Sequence, residues 1–430
     1  MPGSQAAVAA SFARERWLLP RRYDALRARA LDRFLREELP HAAFYAPFAG
    51  RPLHELPIVD KRTVLADFAS FNRFGITLEA ALEVAEAAER SRDFTDQLPG
   101  GVTVGLSSGT TGTRGVFLVS ESESRLWAGI LLGQLVSPVS LRVMARRPLR
   151  VALFLRANSN LYETLDSNRV AFSWHDLTQP VGDHLAALAG TDVLVAPASV
   201  LRRIADLDER ERRAIRPLQV ISVAETLDPE DETVIAAAFG RRVEQIYQAT
   251  EGLLAVSCPA GRLHLNEGHV HVEPEWIDHR RFHPIVTDVN RTTQFVVRHR
   301  LDDVLLAAPG PCPCARPGRS IAAVLGRADD VLHLRASASS GSDDLVPVYP
   351  DVLRHTVALA GDLGDYRIEQ HGEEWHLAVT SATPVTALAR VSVETARLAE
   401  RLRALPPVVV PMPWPTEAPD AKRRRIRRVS

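Results

Sequence analysis

Ser107-Ser108-Gly109-Thr110-Thr111-Gly112 is built only from hydroxyl-bearing residues and glycine. Such a loop offers side-chain O–H and backbone N–H donors and no bulk to hold an anion away, which suits a triphosphate. It is not a Walker A motif, which needs Gly-Lys-Ser/Thr opening a helix, nor a Rossmann fingerprint. Thr113 follows the loop, and Arg114 is the nearest cation along the chain.

Five later segments could complete a nucleotide site. Tyr247-Gln248-Ala249-Thr250-Glu251-Gly252 offers a ring to stack on a purine, a hydroxyl for a phosphate and a carboxylate for Mg²⁺. Ala224-Glu225 follows a strand-like run, and α/β folds bind nucleotides at the open ends of parallel strands. In Arg300-Leu301-Asp302-Asp303 a carboxylate could accept two hydrogen bonds from a ribose diol. Gly326-Arg327-Ala328-Asp329-Asp330 suits a domain junction. Near the end, Lys422 sits in Asp420-Ala421-Lys422-Arg423-Arg424-Arg425. Taken singly, each segment also reads as a capped turn, a solvated carboxylate or a basic tail.

The three cysteines are Cys258, Cys312 and Cys314. With His264 they make three thiolates and one imidazole, a set suited to tetrahedral zinc. All four positions would be protein ligands, so the expected ion is structural; small buried thiols are the competing reading. His269 and His271 alternate on a strand and read as packing or exposed residues.

These residues need elements to hold them. Val102 to Leu106 and Val116 to Val119 read as strands on either side of the hydroxyl-rich loop. Ala9 to Glu38 has helical periodicity broken at Pro20, and Asp60 can cap a helix after the Pro57 turn. Leu149 to Phe154, Asp192 to Pro197, Leu218 to Val223 and Arg242 to Ile246 read as strands alternating with helices, one of which starts at Asp228-Pro229. After about Val243 short strands dominate, at Val270 to Val272, Ile285 to Val289 and Gln294 to Arg298. The expected fold class is α/β: a large layered α/β N-terminal domain with an antiparallel β subdomain, and a small α+β C-terminal domain, which the resemblance described below implies is mobile. Trp127, Phe154, Phe172 and Ser173 to Asp176 are candidates to line a substrate pocket but read first as core.

Loop, Ala-Glu, Tyr-x-x-Thr-Glu, Asp, Gly-Arg-x-Asp-Asp and late Lys occur in one order along the chain. That order resembles the core motifs of the adenylate-forming superfamily, and within it the phenylacetate–CoA ligase branch. Leu56-Pro57-Ile58-Val59-Asp60-Lys61 is similar to that branch's N-terminal Leu-Pro-x-x-x-Lys element, and Val348 to Leu353 to its post-hinge segment. The resemblance implies that Ser107, Ser108, Gly109, Thr110, Thr111 and Gly112 cradle the β/γ-phosphates of ATP. Tyr247 would stack on adenine, with Ala224 and Glu225 lining the base pocket. Thr250 would meet the α-phosphate, Glu251 would bind Mg²⁺, and Asp302 with Arg327 would hold the ribose. Asp329 would be the hinge and Lys422 the catalytic lysine. It also implies domains at 1–328 and 329–430, with a zinc-bearing β subdomain at about 243–325, since some members of the branch carry a similar zinc set. The implied reaction activates a small carboxylic acid as an acyl-adenylate and passes it to a thiol, with CoA expected. A carrier protein or an amine is the alternative acceptor, and a homodimer is among the expectations. Arg300-Leu301 replaces the usual Thr-Gly, and Ala336 replaces a glycine beside the pantetheine path, which weakens the case for CoA.

At 430 residues the chain has room for two or three domains. Its formal net charge of −1 excludes a strongly basic nucleic-acid binder. No apolar run approaches a membrane span, and the early Arg14, Glu15 and Arg16 argue against a signal peptide, so the expectation is a cytoplasmic protein without membrane partners. The reading from another class is a non-catalytic nucleotide- or nucleic-acid-binding protein that uses the basic tail.

Overall fold

The computed structural model describes residues 2–106, 114–155, 166–314, 316–337, 344–361, 363–415 and 423–429. The fold is mixed α/β. Two compact units emerge: residues 1–301 with 305–323, and residues 302–304 with 324–430.

The large unit is organised on a sheet that changes character along its width. Val170–Asp176, Leu149–Leu155, Val193–Ala196, Gln219–Ser222 and Val243–Ala249 are neighbours in that order, and all run parallel. Buried on both faces, the central strands read as apolar runs instead of alternations. Helices Ala198–Ala205 and Pro229–Phe239 pack Leu201, Ile204 and Ile235 on one face; Leu149, Leu153, Val195 and Ile221 form the core of the other. Asp228-Pro229 opens its helix with proline at the first turn, where the missing N–H costs nothing.

Beyond Val243–Ala249 the pairing turns antiparallel, through Gly252–Ser257 and Leu263–Leu265. The sheet continues through Ser320–Arg327, Asp303–Ala307, Arg281–Asp288 and Val270–Trp276. The expected strand at Gln294 to Arg298 does not form. Only Gln294 makes an isolated bridge, to Asn72, while the Phe295 N–H donates to the Phe71 carbonyl at 2.8 Å. Phe295 and Val297 instead fill an N-terminal core with Phe34, Tyr45 and Phe71. The apolar run is real, but its partners are side chains far away in sequence and not a neighbouring strand.

The N-terminal segment breaks near Pro20, with helices Pro2–Ala13 and Tyr23–Arg33 joined by tighter and wider turns. Asp60 caps Lys61–Ala66, accepting the Thr63 N–H at 2.8 Å.

The small unit carries a four-stranded sheet in the order Val408–Pro411, Glu374–Val379, Tyr366–His371, Ile426–Val429. Helices Pro350–Leu359 and Pro384–Arg401 cover it, burying Leu353, Val357, Val391 and Leu398 around Trp375. No single described helix is long and apolar enough to cross a membrane.

Candidate active site

The loop Ser107 to Gly112 lies outside the described residues, but its frame does not. Val102–Leu106 and Val116–Ser120 pair antiparallel, with Leu106 opposite Val116. Gly105 faces Phe117 across the ladder, and a Cβ there would stand 2.0 Å from the phenyl ring. Any larger residue there would have to push the Phe117 ring aside. Arg114 is held by Glu89 of helix Leu78–Ser91, with Nη1 2.8 Å from Oε2, and that hydrogen-bonded carboxylate raises its pKa. The cation nearest the loop is therefore already engaged.

The Tyr-x-x-Thr-Glu motif is a tight hairpin. Ala249 pairs with Gly252, leaving Thr250 and Glu251 as the two-residue turn, with a register shift beside Tyr247. Gly252 has φ +151, and a Cβ on it would meet Asp288 Oδ2 at 2.8 Å. Burial pushes the Asp288 carboxyl up to about 6. Glu251 Oε1 lies 3.6 Å from His299 Nε2. Lys61, Gly115, Thr250, Glu251 and His299 line one cleft. The hairpin turn and the exit of the glycine-rich loop thus open onto the same space.

Arg291 was not found by motif reading. It is 0% exposed, and its Nη1 donates to the Thr250 carbonyl at 3.1 Å. Its Nη2 donates to the Leu118 carbonyl and to Gln294 Oε1, each at 3.2 Å. Two of its partners are main-chain oxygens distant in sequence, and a main-chain carbonyl leaves no pattern in the residue types. Its guanidinium also covers the Trp127 ring at 5.2 Å, and Trp127 and Phe154 are buried core.

Ala224 and Glu225 follow strand Gln219–Ser222. Ala224 adopts φ +66, a left-handed setting costly for a residue with a Cβ. The Glu225 carboxylate accepts the Ser199 N–H at 2.8 Å and the Ser199 hydroxyl at 3.0 Å, at the start of helix Ala198–Ala205. Its negative charge thereby meets the positive end of that helix, and it links the C-terminal ends of two adjacent parallel strands.

In the small unit, the Asp302 carbonyl accepts the Ala328 N–H at 2.8 Å, and Arg327 Nε lies 3.7 Å from Asp303 Oδ1. Asp330 Oδ2 accepts the Arg327 N–H at 2.7 Å. Gly326 has φ +133, and a Cβ on it would stand 2.6 Å from Asp330 Oδ2. Arg424 binds both acids: Nη2 lies 2.9 Å from Asp329 Oδ2, and Nε donates to Asp330 Oδ1 at 2.9 Å. Lys422 lies outside the described residues. The arginines after it are paired as well: Arg423 and Arg425 with Asp365, Arg427 with Glu369. Arg427 lies in strand Ile426–Val429 and the others lead into it, so these arginines are part of the fold and not a free basic tail of the kind nucleic-acid binding would use.

Cys258, His264, Cys312 and Cys314 converge, with ligand atoms all within 4.8 Å of one another. The Cys258 and Cys312 sulfurs are 3.6 Å apart, and Cys314 Sγ is 3.3 Å from His264 Nε2. Zinc bonds of about 2.3 Å to sulfur and about 2.0 Å to nitrogen, in a tetrahedron, place ligand atoms roughly 3.3–3.8 Å apart. The donor set fits that ion. Two turns build it. The Cys258 N–H donates to the Arg262 carbonyl at 2.8 Å, and Ser320 pairs with His264, which brings the Cys-Pro-Cys segment alongside. Burial first, and Arg316 second, lower the His264 pKa, favouring the neutral imidazole that a metal needs. Outside this set, His269 binds Glu15 at 2.7 Å, and His271 contacts Arg27 at 3.1 Å.

No protein-family model matches the chain, and no curated protein matches its sequence. Solved structures do. 2-Hydroxyisobutyryl-CoA ligase in the postadenylation state superposes with TM-score 0.67 at 16% identity, over 97% of this chain and 91% of that one. Amide bond synthetase McbA from Marinactinospora thermotolerans gives TM-score 0.52 at 12% identity, over 76% and 68%. An ATP-bound chimera of RpMatB and BxBclM gives 0.51 at 14% identity, over 76% and 66%.

Proposed function

The chain has the fold of these adenylate-forming ligases, and we propose that it is itself an ATP-dependent, AMP-forming ligase that activates a small carboxylic acid. One observation carries this reading: on that fold, the Thr250-Glu251 turn and the exit of the Gly/Ser/Thr loop line a single cleft. In this assignment Ser107 to Gly112 grip the β/γ-phosphates, Tyr247 stacks on adenine, and Ala224 and Glu225 border the base. Asp302 and Arg327 hold the ribose, Asp329 is the hinge, and the protein works in the cytoplasm.

The chemistry requires a carboxylate to attack the α-phosphorus, and both are anionic. Thr250 contacts the α-phosphate, and Lys422 neutralises charge that grows between acid and phosphate, where a placed cation is worth most. Glu251 would hold Mg²⁺, which supplies Lewis-acid neutralisation of the phosphates when bound. Pyrophosphate leaves and an acyl-adenylate remains for a nucleophile. Cys258, His264, Cys312 and Cys314 hold a structural zinc and take no part in the reaction.

CoA is the proposed acceptor in the phenylacetate–CoA ligase manner. One observation favours a second acceptor class, a carrier protein or an amine. Ala336, where the family's glycine would lie by the thiol path, is 7% exposed and bridged to Ala404. Carboxylate-dependent ATP–pyrophosphate exchange tests adenylation without assuming the acceptor. Release of AMP with CoA, against release only with amines or a carrier, then separates the acceptors.

A further inference from the structure

Segment 288–294 is pinned from both sides. The Thr292 and Thr293 N–H groups donate to Glu123 Oε1 at 2.6 and 2.9 Å. The same carboxylate closes the capping box of helix Glu121–Leu135, its Oε2 accepting the Ser120 N–H at 2.7 Å. Gln294 Oε1 accepts the Leu118 N–H at 3.0 Å, and Gln294 Nε2 reaches the Val116 carbonyl at 3.5 Å. Glu123 is 4% exposed, Gln294 5% and Arg291 0%. The strand that leaves the phosphate loop is thus gripped at Val116, Leu118 and Ser120 by two buried side chains of this segment and by Glu123. From the same platform Arg291 reaches the other way, to the Thr250 carbonyl, in the turn that presents Glu251 to the cleft.

A guanidinium suits this task. It is planar, permanently charged and carries donors in a fixed fork, so it can hold two carbonyls at a set spacing. Burying it is costly unless those bonds are made. The cost therefore favours the geometry: losing either carbonyl leaves the buried guanidinium with only part of its partners, Gln294 and the Trp127 ring among them.

We propose that Arg291 is a positioning residue that locks the Thr250-Glu251 turn to the strand leaving the phosphate loop, so that both sides of the ATP phosphate site move as one. This rests on the ligase reading above. Its consequence is selective: losing the lock harms engagement of ATP and leaves engagement of the acid nearly intact.

The test compares Arg291→Lys and Arg291→Met with wild type. Hydrogen exchange on the ligand-free full chain should show peptides spanning 114–120 and 247–253 opening faster together, while the parallel strands 149–155 and 193–196 keep their protection. In pyrophosphate exchange, the KM for ATP should rise roughly tenfold in Arg291→Met with the KM for acid within about twofold, and Arg291→Lys should recover part of the loss. If a folded variant leaves either peptide unchanged, or if ATP and acid are affected equally, the lock is refuted. Hydrogen exchange needs no substrate. A wild type that shows no pyrophosphate exchange would therefore overturn the ligase reading, and the peptide data would still decide the lock. Should Arg291→Met fail to fold, Gln294→Leu takes its place in the hydrogen-exchange arm, with the 114–120 peptide expected to open first.

Discussion

Asp288 is a carboxyl whose burial has a direct consequence for stability. Burial lifts its carboxyl from an ordinary 3.8 to about 6. The folded chain then holds this proton more tightly than the unfolded chain does. Its contribution is full below about 3.8, is lost as pH rises through about 6, and stays lost above that. Asp288→Asn should flatten that part of the pH–stability curve and raise the melting temperature near neutral pH; a variant whose curve runs parallel to wild type would contradict the assignment. The cysteine set makes a second prediction at this scale. Purified protein should carry about one zinc per chain, and Cys312→Ser or Cys314→Ser should lose it together with several degrees of Tm. Metal analysis showing no zinc in either protein would remove the site. The donor types were legible because thiols and imidazoles advertise themselves. Arg291 was not, because two of its partners are the Thr250 and Leu118 carbonyls, which every residue type possesses.

Elements were legible where their causes are local. Asp60 caps its helix and Pro229 opens one because both act within a turn of themselves. Gln294 to Arg298 misled because alternation and apolarity say that a segment is buried but not what it pairs with. The junction in the small unit sits between these cases. Gly-Arg-x-Asp-Asp looks like a turn, but only the structure says why glycine comes first: at φ +133, a Cβ would press on the Asp330 carboxylate that Arg424 holds. Gly326→Ala should therefore destabilise the small unit by about 1–3 kcal/mol through backbone strain and the clash. Differential scanning calorimetry should show the loss. An unchanged transition would mean that the turn relaxes freely.

Across the whole molecule, the order of motifs and the fold point the same way although no sequence relative does. A TM-score of 0.67 at 16% identity speaks for the shared fold alone, since a fold does not fix what its site residues do. Where the proposed acid would sit was illegible for that reason: Trp127 and Phe154 are explained as core, so residue type alone marks no pocket. The basic tail illustrates the converse. Arg423 to Arg428 looks like a solvated charge run, yet Asp329, Asp330, Asp365 and Glu369 take up its arginines within the small unit. The most direct test of the account is ATP–pyrophosphate exchange over a broad panel of carboxylic acids, with wild type and Lys422→Ala side by side. The account predicts exchange that depends on a particular acid and falls by roughly a hundredfold or more in Lys422→Ala while ATP still binds. Absence of acid-dependent exchange across the panel, or equal exchange in Lys422→Ala, would contradict it.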